Sequence, residues 1–284
     1  MAISRIGIVG SGIMGSGIAE VAATTGHEVV LRSRSLESAQ AMVAGLEKSL
    51  ARQVEKGRRE QADADAALAR VTATADLADL AGCDLVLESV VEDLDIKLAL
   101  FRELDAICGP DTIIATNTST LPVVEMAMVT NRPGKVCGVH FFNPAPAMSL
   151  VEIIRPITAD EETIASVKAF AEACGKQAVE VADRAGFIVN ALLFPYLNNA
   201  VRLLENGVAS RDDIDTAMKG GCNFPMGPLA LLDLVGLDTS VSILDALYDE
   251  FRDPNFAPVP RLRRMVTAGH LGRKSGQGFF DYRK

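Results

Sequence analysis

No apolar run in the 284-residue sequence reaches the ~20 residues a membrane-spanning helix needs, so no membrane partner is expected. There is no basic excess either. The formal charge is −9, leaving no surplus cations to neutralise a phosphate backbone, and nucleic acid is not expected as a partner. The five cysteines (Cys83, Cys108, Cys137, Cys174 and Cys222) include no Cys-x-x-Cys pair and are odd in number and widely separated. That spacing argues against a zinc site or a disulfide framework, and for reduced thiols in the cytoplasm packing as small hydrophobes. No metal is expected. The opening "MAISRIGIVG" enters a strand pattern at once, so no signal peptide is expected.

What is present is ordinary globular composition, 49% hydrophobic and 23% charged, on a chain long enough for two unequal domains. The first half alternates short apolar runs with helical stretches: "RIGIVG" (5–10), "EVVLRS" (28–33), "RVTAT" (70–74), "DLVLES" (84–89), "TIIATN" (112–117) and "KVCGVHFF" (135–142). Nearly continuous Val/Ile/Leu runs are the mark of parallel strands covered on both faces. The fold class is therefore α/β, a Rossmann-like doubly wound, mostly parallel sheet. Residues 36–69 read as a projecting pair of helices broken at Gly45 and Gly57. After "SLVEIIRP" (149–156), a helix near 160–174 and "QAVEVAD" (177–183), the β pattern stops. Residues 1–185 form the expected dinucleotide-binding domain and 186–284 an all-helical one.

Gly10-x-Gly12-x-x-Gly15 follows the first strand and opens a helix. In that context Gly10 permits the tight turn, Gly12 lets backbone approach a pyrophosphate and Gly15 allows close helix–strand packing. Ser11, Ile13 and Met14 complete the loop, whose helix N-terminus supplies N–H donors to an anion.

A second absence is more informative. At the end of the second strand, where an Asp or Glu normally meets the adenosine ribose, the chain carries Arg32, Ser33 and Arg34. Two cations and a small hydroxyl suit a 2′-phosphate, which a carboxylate would repel. NADP(H) is favoured, with NAD(H) bound without its usual acid as the alternative.

Only three histidines occur. His27 and His270 read as exposed turn residues. His140 lies in an apolar strand that leads into a Pro-rich turn. If the chain folds back around Pro146, residues whose numbers sum to 292 face one another. His140 then meets Glu152 across a strand pair, with Cβ atoms about 5 Å apart. A carboxylate there would keep one imidazole nitrogen protonated and leave the other free as a base.

Taken together, "GSGIMGSGIAE", "ESVVEDLDIK", "ATNTSTLPV", "GVHFFNPAP", "LVEII", "GFIVNALLFPYLNNA" and "LGRKSGQGFFDY" resemble the L-3-hydroxyacyl-CoA dehydrogenase family, in its compact bacterial form, over essentially the whole chain. The resemblance implies His140 as catalytic base and Glu152 as its orienting partner. It implies that Ser119 and Asn190 hydrogen-bond the substrate's reacting and thioester oxygens. Glu92, Lys97, Asn117, Asn143 and Lys274 would line or clamp the cofactor, and Ser49 and Lys56 would touch coenzyme A. It further implies hydride transfer between a 3-hydroxyacyl-CoA, a four-carbon one above all, and the nicotinamide, and a homodimer through the helical domain. Asn117 and Ser119 could instead cap the following helix. Two other functional readings stay open on sequence alone: a non-catalytic nucleotide-binding or lambda-crystallin-like protein, and a β-hydroxyacid dehydrogenase. The latter would need a catalytic Lys where "GFIVN" offers Asn190. Acyl-chain length and physiological direction are not readable.

Overall fold

The computed structural model describes residues 2–283. The chain divides into two compact units, the first ending at Asp183 and the second beginning at Arg184.

The first unit is an eight-stranded sheet in the order β3-β2-β1-β4-β5-β6-β7-β8. Its strands are β1 (Arg5–Val9), β2 (Glu28–Arg32), β3 (Val71–Thr74), β4 (Leu85–Glu88), β5 (Ile113–Thr116), β6 (Val136–Phe141), β7 (Leu150–Arg155) and β8 (Gln177–Ala182). All neighbours are parallel except β6 and β7, which run antiparallel. The apolar runs become strands because both faces are covered: Ile6, Ile8, Leu31, Leu85, Leu87 and Ile113 are all essentially inaccessible to solvent. The layers above and below are α1 (Ile13–Thr24), α2 (Leu36–Glu55), α3 (Gln61–Ala69), α4 (Leu94–Ile107), α5 (Val123–Met128) and α6 (Glu161–Ala173). Strand order reverses beside β1, the position at which such sheets open a crevice at their carboxyl ends.

Four sequence expectations change. Gly45 does not break α2. It sits on the exposed side with nothing within 4 Å, so it costs only helix propensity, ~1 kcal/mol. The helix starts at the Ser35 cap, whose hydroxyl accepts the Ser38 N–H, and ends before Gly57 at φ +64°. The α2–α3 pair is also anchored along its length rather than standing clear of the sheet. Met42, Leu46 and Leu50, at helical spacing, join the same core as β1 and β2, with Ala64 and Ala67 of α3, and Ala39 is buried on the same helix. His27 is 7% exposed, not a solvated turn residue; its ring packs edge-on against Phe170 at 5.1 Å. Cys222 is exposed, whereas the other four thiols are buried, and burial pushes Cys137 up to about 12.

The second unit contains α7 (Val189–Glu205), α8 (Arg211–Cys222), α9 (Pro228–Val235), α10 (Leu237–Phe251) and α11 (Pro260–Thr267). They pack around Leu197, Val201, Leu229, Leu232, Leu244 and Leu262. Two buried carboxylates organise it. Asp215 accepts the Leu229 and Ala230 N–H groups at the start of α9. Asp233 accepts N–H bonds from Phe279 and Phe280 and the Tyr282 hydroxyl. A Cβ at residue 278 would lie 2.0 Å from Asp233 Oδ1, so only glycine admits this approach. No described helix is long and apolar enough to cross a membrane.

In the first unit, Arg132 returns from the α5–β6 connection to the end of α4. Its Nε donates to Asp105 Oδ1 at 2.7 Å, and its other nitrogens donate to the carbonyls of Asp105, Cys108 and Gly109. Burial raises the Asp105 pKa, but the Asn131 N–H donors and the Arg132 guanidinium outweigh it and hold the carboxyl below its usual range. A folded-state value below the unfolded one contributes stability above the unfolded pKa, and that stability is lost as pH falls through the folded value. Arg132→Met should therefore lower the unfolding free energy at neutral pH by about 2 kcal/mol. In denaturant titrations across pH, the gap from the parent should shrink in acid. A constant gap would show that the Asp105 charge is not its source.

Candidate active site

The glycine turn after β1 has the shape a dinucleotide pyrophosphate requires. Gly10 has φ +135°, and a Cβ there would sit 2.2 Å from the Ser89 carbonyl oxygen; one at Gly15 would sit 2.3 Å from that of Gly10. Gly12 is different: nothing lies within 4 Å of its missing Cβ. It is the N-cap of α1, where no side chain claims the first-turn N–H groups. Open space before unclaimed donors is what an anion-binding turn requires. Ser11 and Ile13 are exposed around it and Met14 is half-buried.

Gly10 donates its N–H to the Arg32 carbonyl at 3.1 Å, which holds the exit of β2 beside this turn. Arg34 is exposed, and Arg32 is half-buried with Nε donating to the Ala75 carbonyl at 3.3 Å. Ser33 is only 3% exposed, so what the exit presents is mainly the two cations rather than the serine hydroxyl.

The candidate reacting end stands on the β6–β7 register. Val139 faces Ile153 and His140 faces Glu152, each pair summing to 292. His140 Nδ1 lies 2.8 Å from Glu152 Oε2, with both side chains buried. A carboxylate only accepts, so Nδ1 carries the proton, and in the neutral ring Nε2 presents a lone pair. Nε2 lies 3.2 Å from Ser119 Oγ, and the Phe142 ring packs against the imidazole at 4.5 Å.

Asn117 and Ser119 follow β5 but cap no helix. The N-cap of α5 is Pro122, and Asp183 takes the Val123 and Val124 N–H groups instead. Asn117 Oδ1 accepts the Phe141 N–H at 2.8 Å, tying the end of β5 to that of β6. Glu92 Oε1 accepts the Thr118 hydroxyl at 2.5 Å and the Ser119 N–H at 2.8 Å. Lys97, expected to clamp the cofactor, is 1% exposed and already engaged. Its ammonium lies 2.7 Å from Glu88 and 3.3 Å from Glu92. Glu88 escaped the sequence reading altogether. The signal was available: a carboxylate inside the apolar run "DLVLES" requires a buried partner.

The remaining candidates are not gathered around His140 by any bond of the first unit. Asn143 is exposed in the loop after β6; Ser49 is half-buried and Lys56 exposed on and just after α2. In the second unit, Asn190 is 8% exposed in the first turn of α7, and Lys274 Nζ pairs with Asp238 at 2.6 Å. Among the described residues, no three or more His, Cys, Asp or Glu side chains converge as a metal site would.

Comparisons with known proteins bear on the family. Residues 5–184 match the family model "3-hydroxyacyl-CoA dehydrogenase, NAD binding domain", and residues 186–282 match the C-terminal domain of the same family. A 3-hydroxybutyryl-CoA dehydrogenase of Mycobacterium tuberculosis is 47% identical over 287 residues, covering 99% of each chain. A probable 3-hydroxybutyryl-CoA dehydrogenase of Bacillus subtilis is 46% identical, covering 99% of this chain and 98% of that one. The crystal structure of an (S)-3-hydroxybutyryl-CoA dehydrogenase from Ralstonia eutropha superposes with a TM-score of 0.97 at 42% identity, covering all of both chains. Matched across both of its halves by models of one family, this chain belongs to the 3-hydroxyacyl-CoA dehydrogenases.

Proposed function

We propose that the protein catalyses the reversible oxidation of (S)-3-hydroxyacyl-CoA, above all 3-hydroxybutyryl-CoA, to the 3-oxoacyl thioester, with NADP(H) as the preferred cofactor. The observation that carries this reading is the buried His140–Glu152 pair, whose second imidazole nitrogen, Nε2, meets Ser119 Oγ. Full-length relatives named as 3-hydroxybutyryl-CoA dehydrogenases support the substrate class.

When bound, the nicotinamide supplies the hydride acceptor or, in reverse, the donor. This chain's residues handle the proton. In the oxidative direction, His140 Nε2 takes the hydroxyl proton of the substrate while Glu152 balances the imidazolium at Nδ1. Ser119 Oγ, already bonded to Nε2, orients the reacting oxygen and stabilises charge developing on it. Asn190 is assigned to the thioester oxygen, and Ser49 and Lys56 to coenzyme A. The Gly10–Gly15 turn would hold the pyrophosphate, with Glu92, Asn117, Asn143 and Lys274 towards the nicotinamide half. The cationic exit of β2 supports a 2′-phosphate. Cytoplasmic location is part of the same reading.

A homodimer through the helical unit is proposed as well. Leu192 (72% exposed) and Leu203 (46% exposed) lie eleven residues apart, on one face of α7, and Val208 follows at 65%. Such a stripe is a liability unless a partner covers it.

Three measurements test these assignments. His140→Ala should lower kcat for acetoacetyl-CoA reduction by ~10²–10⁴-fold, with nucleotide affinity retained and Glu152→Gln less damaging; parent-level turnover in H140A would remove the base. Steady-state kcat/KM should favour NADPH over NADH. Ser33→Asp, which restores an acid at the β2 exit, should move that ratio towards NADH by about tenfold, or ~1.4 kcal/mol. A parent enzyme that prefers NADH would overturn the cofactor choice. Sedimentation equilibrium at micromolar protein should give twice the chain mass, and a stable monomer would dispose of the dimer.

A further inference from the structure

Glu88 is the most deeply buried charge of the first unit, at 0% exposure, and its counter-ion Lys97 is at 1%. The pair is fully satisfied. Glu88 accepts the Val90 N–H at 2.6 Å, the Thr116 hydroxyl at 2.7 Å and two bonds from Lys97 at 2.7 and 2.9 Å. Stability alone does not explain such an arrangement. Burying two ions is costly, and an apolar pair of equal volume serves a core as well or better.

Position explains it. An ammonium has three donors, and Glu88 uses only part of them. Lys97 also reaches Glu92 Oε2 at 3.3 Å. Two carboxylates thus share one cation, and the uncompensated charge rests on Glu92, whose side chain is 40% exposed where Glu88 has none. The other Glu92 oxygen holds the Thr118 hydroxyl and the Ser119 N–H. Ser119 in turn carries its Oγ to His140 Nε2. The bonds run in series from the end of β4 to the imidazole.

We infer that Glu88 is a positioning residue for the reaction: by locking Lys97, it fixes Glu92 and hence the Thr118–Ser119 turn that presents Ser119 Oγ to His140. Its effect is indirect, through Lys97 and Glu92, and it needs no contact with substrate. The inference rests on the dehydrogenase reading above.

The test compares Glu88→Gln, Lys97→Met and the double variant E88Q/K97M in acetoacetyl-CoA reduction, with thermal midpoints measured in parallel. A displaced turn costs turnover rather than affinity, so each single variant should lose up to ~10²-fold in kcat with KM for acetoacetyl-CoA unchanged. The double variant buries no unpaired charge, so its thermal midpoint should stay near the parent's, and it carries the test should E88Q fail to fold. Its kcat loss should equal that of K97M, because both residues act in one chain. If the double variant regains parent kcat, Glu88 is only a counter-ion and the inference falls. Losses that multiply in the double variant, or a folded E88Q with parent kcat, overturn it equally. A parent protein inactive on acetoacetyl-CoA would sink the dehydrogenase reading itself, and this inference with it, whereas active variants beside an active parent sink the inference alone.

Discussion

The proton chemistry proposed for this protein depends on one hydrogen bond, from His140 Nδ1 to Glu152 Oε2, and that bond depends on strand register. β6 and β7 are the one antiparallel pair in an otherwise parallel sheet. An antiparallel neighbour puts the two residues directly opposite, on one face, at a distance that side chains bridge without strain. A slip by one residue would turn Glu152 to the other face and leave the imidazole buried without its carboxylate. The apolar flanks Val139, Val151 and Ile153, all inaccessible, oppose that slip. The chemistry is thus protected by the hydrophobic pattern around it.

The sheet then does the gathering. The glycine turn, the cationic exit of β2, Glu88, the Asn117–Ser119 segment and His140 all stand at the carboxyl ends of parallel strands. Glu152, on the antiparallel strand, reaches the same edge from its amino-terminal end. Backbone bonds fix the spacing: Gly10 to Arg32, Ser89 to Val9, and Asn117 to Glu88. Few of the candidate groups therefore depend on a flexible loop for their position.

Much of this was legible in the sequence because strands buried on both faces write themselves as unbroken apolar runs. The hairpin sum of 292 was equally readable, since a single Pro-rich turn fixes which residues meet. What escaped was burial of polar groups by distant parts of the chain. His27 looks like a turn residue until Phe170 covers it. Cys222 looks like the other four cysteines until the end of its helix proves exposed. Lys97 reads as a ligand-facing cation, yet Glu88, nine residues earlier, absorbs it. Gly45 reads as a break, but an exposed glycine in a well-capped twenty-residue helix is merely tolerated. Local pattern reports periodicity well; it does not report which partner arrives from elsewhere.

The hold of Asp233 on Phe279 and Phe280 has a consequence for how the molecule is made. Phe279 belongs to the interior of the helical half, and Gly272 and Gly278 exist to let that stretch lie against Asp233. The ribosome therefore finishes β8 of the nucleotide-binding half almost a hundred residues before it delivers the piece that seals the helical half. During synthesis the first half can settle while the core of the second still lacks Phe279 and the bonds that Asp233 makes to it.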